Sequence, residues 1–212
     1  MAVLCGWASL GENGKATGGS AGDQKQTSST KDLNGEVKLG NWYSFGQTAV
    51  LRWKTVANRR AYVKAIKYLC NSPLVGYNQS ERTTLYTALK AVNWDYTKLK
   101  KKVNCDCSEL VACAVNCVLK KAAISSAVYT GNLSVALVDS GYFNKLTDSK
   151  YLTSSDYLRR GDIINAPGRH VISALQKGAK AGVKTTPIVP KPTLKMGTTR
   201  STATKRLQRC LN

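Results

Sequence analysis

Acidic residues are scarce in this chain, histidine occurs once, and no apolar run is long. Asp and Glu number 12 against 32 Lys and Arg, a formal net charge of +20. From Ile163 to Asn212 there is no acidic residue at all. That imbalance favours a polyanionic partner: nucleic acid, an acidic membrane or an acidic cell wall. No segment approaches the roughly 18–20 apolar residues that span a bilayer, so membrane insertion is not expected. The first ten residues lack a basic stretch and run into Gly11-Glu12-Asn13-Gly14-Lys15, unlike a secretory signal peptide. Synthesis in a cytoplasm follows, with release by some other agent before any action outside. Seven cysteines, an odd number, argue against a complete disulfide framework.

What is present is enough for a core. The hydrophobic fraction is 42% over 212 residues, which fits one domain with a short appendage. Residues 11–40, rich in Gly, Ser, Thr, Lys and Asp, read as an irregular segment. The stretch from Asn41 to Trp53 holds aromatic and apolar residues suited to a short strand or a docking surface. Ala57–Cys70 has helical periodicity and stops at Asn71-Ser72-Pro73. Ser80–Ala91 reads as a second helix with Ser80 as cap and Leu85 and Leu89 on one face. Cys107–Ala123 is the clearest helix, with Asp106 as N-cap. Gly161–Asn165 reads as a turn into a strand, and His170–Leu175 as another strand. Residues 184–192 form a Pro-rich connector. Residues 193–212 are too few to build a core alone.

The chemistry concentrates at Cys107 and His170. A cysteine at the start of a helix sits at the positive end of the helix dipole, which favours thiolate. An imidazole brought beside it completes a Cys/His nucleophilic pair. The backbone N–H groups at Cys107 and Ser108 are placed to serve an oxyanion hole. The rival reading is a metal site, because Cys105, Cys107, Cys113 and Cys117 lie within thirteen residues. Their spacing lacks the paired knuckles of structural zinc. Cys113 and Cys117, four apart on one helix face, read instead as small core residues. Neither metal nor cofactor is therefore expected.

The segment Cys105-Asp106-Cys107-Ser108-Glu109-Leu110-Val111, followed by Gly161-Asp162-Ile163-Ile164 and Arg169-His170-Val171, resembles the NlpC-type family of papain-like peptidoglycan hydrolases. The likeness extends to a phage endolysin subgroup. It runs through Gly11–Lys15, Gly22-Asp23-Gln24, Asn41-Trp42-Tyr43, Gly76–Gln79, Arg82–Tyr86, Tyr129–Asn132 and Lys150–Thr153, covering most of residues 1–178. The resemblance implies an α+β, papain-like fold in which the helix bearing Cys107 packs on a small antiparallel sheet. It also implies Cys107 as nucleophile and His170 as base. Tyr77 matches a family tyrosine that holds substrate or the oxyanion, with Asp106 and Ser108 beside it. Family members carry a further polar residue beyond the base to orient the imidazole, and Gln176 is the nearest side chain available for that role. Arg169, directly before the base, is expected to lower the pKa of His170. The tail resembles the opening of a three-helix peptidoglycan-binding module. The implied organisation is a catalytic domain over 1–183, a linker over 184–192, and an incomplete wall-binding module over 193–212.

Taken together, the expected activity is hydrolysis of peptidoglycan amide bonds by a monomer acting on the bacterial cell wall. The scissile bond is either the muramoyl–L-alanine bond or one within the stem peptide. Anionic wall polymers would concentrate the basic protein at its target. Two other classes compete: a non-catalytic wall-binding protein on the same fold, and a nucleic-acid-binding protein. Against the latter, the basic residues are scattered and no nucleic-acid-binding motif occurs.

Overall fold

The computed structural model describes residues 2–23 and 36–182. The expected linker over 184–192 and module over 193–212 lie outside the described residues. A short strand opens the chain, β1 (Leu4–Ala8), and pairs antiparallel with β2 (Val37–Asn41), Leu4 opposite Asn41. After β3 (Ala49–Trp53) comes α1 (Val56–Cys70). The hydroxyl of Thr55 accepts the N–H of Asn58 and caps α1, and Tyr62, Ile66 and Leu69 form its buried stripe. The helix stops where Asn71 donates its amide to the carbonyl of Lys67, two residues before Pro73.

Two three-residue strands follow, β4 (Val75–Tyr77) and β5 (Val103–Cys105), and they pair in parallel. Between them lies α2 (Thr84–Ala91). β5 leads directly into α3 (Cys107–Leu119), then come α4 (Thr130–Asp139), β6 (Phe143–Leu146) and the single-turn α5 (Ser149–Leu152). A hairpin of β7 (Ile163–Ala166) and β8 (His170–Ala174) completes the described domain. The main sheet runs β2-β1-β8-β7-β3-β6 with every neighbour antiparallel. The fold is thus mixed α+β with a small antiparallel sheet, the class that the sequence leads one to expect.

The larger core lies between the helices and one face of this sheet, where α1 and α3 pack on β1, β3 and β8. Tyr62 is fully buried there, its hydroxyl 2.8 Å from that of Ser173 on β8. The opposite face carries a smaller cluster of Val3, Cys5, Trp7, Val50, Ile164, Ile172 and Ala174. Alternation along β8 explains the division. Val171 faces the helices, and Ile172 and Ala174 face the other way. A bidentate ion pair from Arg52 on β3 to buried Asp162 braces the turn before β7, at 2.8 and 2.6 Å.

Several local expectations change. Ser80 caps nothing: it lies in a 3-10 turn over Gln79–Glu81, and its own N–H goes to the side chain of Asn78. The hydroxyl of Thr84 exchanges two hydrogen bonds with the backbone of Asn104, which fixes the start of α2 against β5. The helix at Cys107 ends at Leu119, four residues early, because Lys120 turns left-handed with φ 54°. The segment 11–40, expected to be irregular throughout, ends in β2. That strand pairs with β1, which has no clear local signal. Gly76 shows why this junction needs glycine: a Cβ there would lie 2.3 Å from the carbonyl oxygen of Gly22.

Asn116 holds the chain after α3. Its buried amide accepts the N–H of Ile124 and donates to the same residue's carbonyl, both at 2.8 Å, as a strand partner would. Replacing Asn116 by Ala leaves two buried backbone groups without partners. The expected loss is about 3 kcal/mol of unfolding free energy, read as a lower urea midpoint at unchanged slope. A loss under about 1 kcal/mol would show that the loop finds other partners.

Candidate active site

The site is assembled at the junction of β5 and α3. Asp106 is extended, and its Oδ1 accepts the N–H of Glu109 and the hydroxyl of Ser108, each at 2.7 Å. Its other oxygen, Oδ2, is 2.9 Å from Nε of Arg82. Arg82 also lies 3.4 Å from the carboxylate of Glu109 and donates to the carbonyl of Val128. This cluster sets the first turn of α3 in place, and Cys107 is the first residue of that turn.

The thiol of Cys107 is buried and is met by the backbone N–H groups of Val171, Ser108 and Cys107 itself. Val171 is the residue after His170, so the helix start and the start of β8 come together. His170 is partly buried, its ring edge-on to Phe45 with centroids 5.5 Å apart. Phe45 continues through Tyr43 to Trp7 as a chain of ring contacts at 5.4 and 5.6 Å. Behind the thiol, β4 ends at Tyr77, which sits opposite Cys105 in the parallel pair. The phenol of Tyr77 accepts a hydrogen bond from Gln79 at 3.0 Å.

A cleft of about 400 Å³ opens over Cys107. Gln79, Arg82, Asp106 and Ser108 line it together with Tyr129, Thr130, Gly168 and Arg169. Polar groups dominate, as suits a peptide or amino-sugar substrate rather than an apolar one.

The electrostatics differ from the expectation at two points. The helix start was expected to hold the Cys107 thiol low. Burial and the charge of Asp106 push it up to about 12, outweighing the three N–H groups that favour thiolate. The imidazole of His170 goes the other way, down to about 4, first through burial and then through the charge of Lys38 on β2. Arg169, the expected cause, is exposed and does not enter. The resting pair at neutral pH is therefore thiol and neutral imidazole, not an ion pair. Such a pair can act by general base catalysis, with the imidazole taking the thiol proton as the sulfur attacks.

Of the expected site residues, the structure places Cys107, Asp106 and Ser108 in the cleft lining; the His170 ring lies against Phe45 on the sheet face that carries Ile172 and Ala174, Tyr77 ends β4 beside Cys105, and Gln176 is left out. Gln176 lies beyond the far end of β8, about 20 Å along an extended strand from His170. Its Oε1 accepts the N–H of Leu4 at 3.4 Å. Among the described residues no side chain hydrogen-bonds the imidazole; Phe45 supplies the contact that orients it. Phe45, Lys38, Tyr43 and Arg82 were not predicted as site residues. Tyr43 and Arg82 fall in segments that resemble the endolysin subgroup, whereas no local pattern marks Phe45 or Lys38, which come from a distant part of the chain. The four clustered thiols do not converge. Cys113 and Cys117 are buried in the core, and no group of three or more His, Cys, Asp or Glu among the described residues is arranged to hold a metal ion.

Comparison with known proteins finds one family. The model of the endolysin-like domain matches residues 5–181. No curated protein and no solved structure matches the chain.

Because His170 is the only histidine, its titration can be followed as a single imidazole signal by NMR. The expected midpoint is about 4, rising toward the ordinary 6.5 in Lys38→Gln. The unfolded chain takes up this proton at higher pH than the folded one, so stability falls as pH drops from 6.5 toward 4. A midpoint near 6.5 in the folded wild type would show an imidazole open to water.

Proposed function

Since the chain belongs to the endolysin-like domain family, we propose that it is a cell-wall lysin hydrolysing amide bonds of bacterial peptidoglycan through a Cys107 nucleophile and a His170 base. The observation that carries this reading is the contact between the Cys107 thiol and the N–H of Val171. It holds a helix-borne cysteine against the strand that begins with the chain's only imidazole. A cysteine helix lying on an antiparallel sheet also supports a papain-like ancestry, with β1 from the start of the chain laid beside the histidine strand.

In this mechanism a peptidoglycan amide enters the cleft with its carbonyl over the start of α3. Nε or Nδ of His170 takes the thiol proton while Sγ bonds to the carbonyl carbon. The negative charge passes to the carbonyl oxygen, which the N–H groups of Cys107 and Ser108 are placed to receive. The tetrahedral intermediate collapses, the C–N bond breaks, and the imidazolium returns its proton to the leaving amine. Water, deprotonated by the neutral imidazole, then hydrolyses the thioester and frees the thiol. Burial of the pair suits this sequence. The charges form only as the substrate closes the cleft, in a site where fixed dipoles replace water.

Phe45 and Lys38 have distinct parts in this reading. Phe45 orients the ring of His170, and burial first, then the charge of Lys38, keep it unprotonated. Tyr77, whose phenol is pushed above its ordinary value chiefly by burial, would serve as a hydrogen-bond donor toward the substrate. The net charge of +20 would concentrate the protein on anionic wall polymers. The scissile bond is either muramoyl–L-alanine or one within the stem peptide.

Purified Gram-positive walls provide the test. Wild type should lower their turbidity, and Cys107→Ala should be at least about a thousandfold slower. Mass spectrometry of the released fragments names the bond through its new ends. Equal clearing by both proteins would remove Cys107 from the mechanism. If neither clears but both sediment with the walls, the protein is a non-catalytic wall binder.

A further inference from the structure

Two guanidinium groups line the cleft over Cys107, and they are engaged differently. Arg82 is committed inward. It lies 2.9 Å from the carboxylate of Asp106 and 3.4 Å from that of Glu109, and it donates to the carbonyl of Val128. Arg169 lines the same cleft. It is exposed and makes no ion pair with any described residue.

Arg169 is nonetheless held in place. The N–H of Arg169 returns to the carbonyl of Ala166 at 3.0 Å, closing a turn with Pro167 and with Gly168 at φ +73°. That short hairpin fixes the backbone of Arg169 directly before His170. Its guanidinium then lies against the turn at Gly46, where an added Cβ would be 2.9 Å from a terminal nitrogen. Gly46 itself has φ +82°, so the turn that supports the guanidinium is built around a residue without a side chain. A planar cation in the lining of the cleft that holds Cys107, with no carboxylate partner among the described residues, suits bidentate binding of a carboxylate. Asp106, the acidic residue lining this cleft, is already paired with Arg82.

We propose that Arg169 is a specificity-determining residue that binds a free carboxylate of the substrate beside the scissile amide. Resting on the hydrolase reading above, this selects a substrate class. A peptidoglycan stem carries its negative charge on carboxylates, and that of the glutamyl residue occurs either free or as the amide. The free acid offers two oxygens to the guanidinium fork; the amide offers one oxygen and places an N–H₂ against a donor. The enzyme therefore favours stems with the free glutamyl carboxylate.

Binding tests this separately from catalysis. The full-length Cys107→Ala protein is titrated calorimetrically with two muropeptides that differ only in the free or amidated glutamyl carboxyl. The free acid should bind about tenfold more tightly, the worth of one charge-assisted contact at a partly exposed site. Adding Arg169→Gln should make the two affinities equal, and Arg169→Lys should keep part of the preference. Because Arg169 is exposed, unchanged thermal unfolding serves as the check that these variants fold. Equal binding of acid and amide by Cys107→Ala overturns the proposal, as does a preference that survives Arg169→Gln, or no binding of either. Wall clearing by wild type without any acid preference would leave the hydrolase standing and remove Arg169 from recognition. An acid preference without clearing would do the reverse.

Discussion

The carboxylate of Asp106 is the group on which the geometry of the cleft depends. One oxygen starts α3 by taking the N–H of Glu109 and fixes Ser108 by taking its hydroxyl. The other meets Arg82, and through Arg82 the restraint reaches Val128, just before the Tyr129 and Thr130 that form the far wall. A cap of this kind stabilises a helix by about 1 kcal/mol, a modest amount. Its position matters more than its energy, because Cys107 is the next residue and inherits the orientation of the helix start.

The same carboxylate has a cost. Its charge stands beside the thiol and, together with burial, works against thiolate. At His170, burial and then the charge of Lys38 work against imidazolium. The two shifts oppose the ion pair that a helix start would otherwise favour, and they favour a thiol and a neutral imidazole. Glu109 follows the same logic one turn along. It is fully buried, and burial raises it to about 8 despite the nearby Arg82. The interior around α3 therefore tolerates polar groups by pairing them or by keeping them neutral.

Much of the helical architecture was legible because it repeats within a few residues. The stripe of Tyr62, Ile66 and Leu69, the cap at Asp106 and the turn at Pro167-Gly168 are local patterns, and α1, α3 and the β7–β8 hairpin follow from them. β1 and β2 were not legible in this way. β1 is five residues long, and its pairing partners lie 29 to 37 residues away on β2 and near the other end of the domain on β8. α4 escaped for a related reason. Its start depends on Asn132 accepting the N–H of Tyr129, and its burial depends on β3, β6 and β7. For the same reason the family pattern points just downstream of His170, to Gln176, whereas the ring that touches the imidazole is Phe45, over a hundred residues upstream.

By itself the sequence determined which residues could do chemistry: one imidazole, one cysteine behind an aspartate at a helix start, and an excess of positive charge. Those are properties of residue type and near neighbours, and they survive in an unfolded chain. Tertiary structure alone decided their protonation, their partners and the shape of the cleft. Burial, the field of Lys38, the contact from Phe45 and the place of Arg169 over Gly46 exist only once distant strands have paired. Electrostatic shifts and packing act through space over a few ångströms, and separation along the chain does not predict that distance.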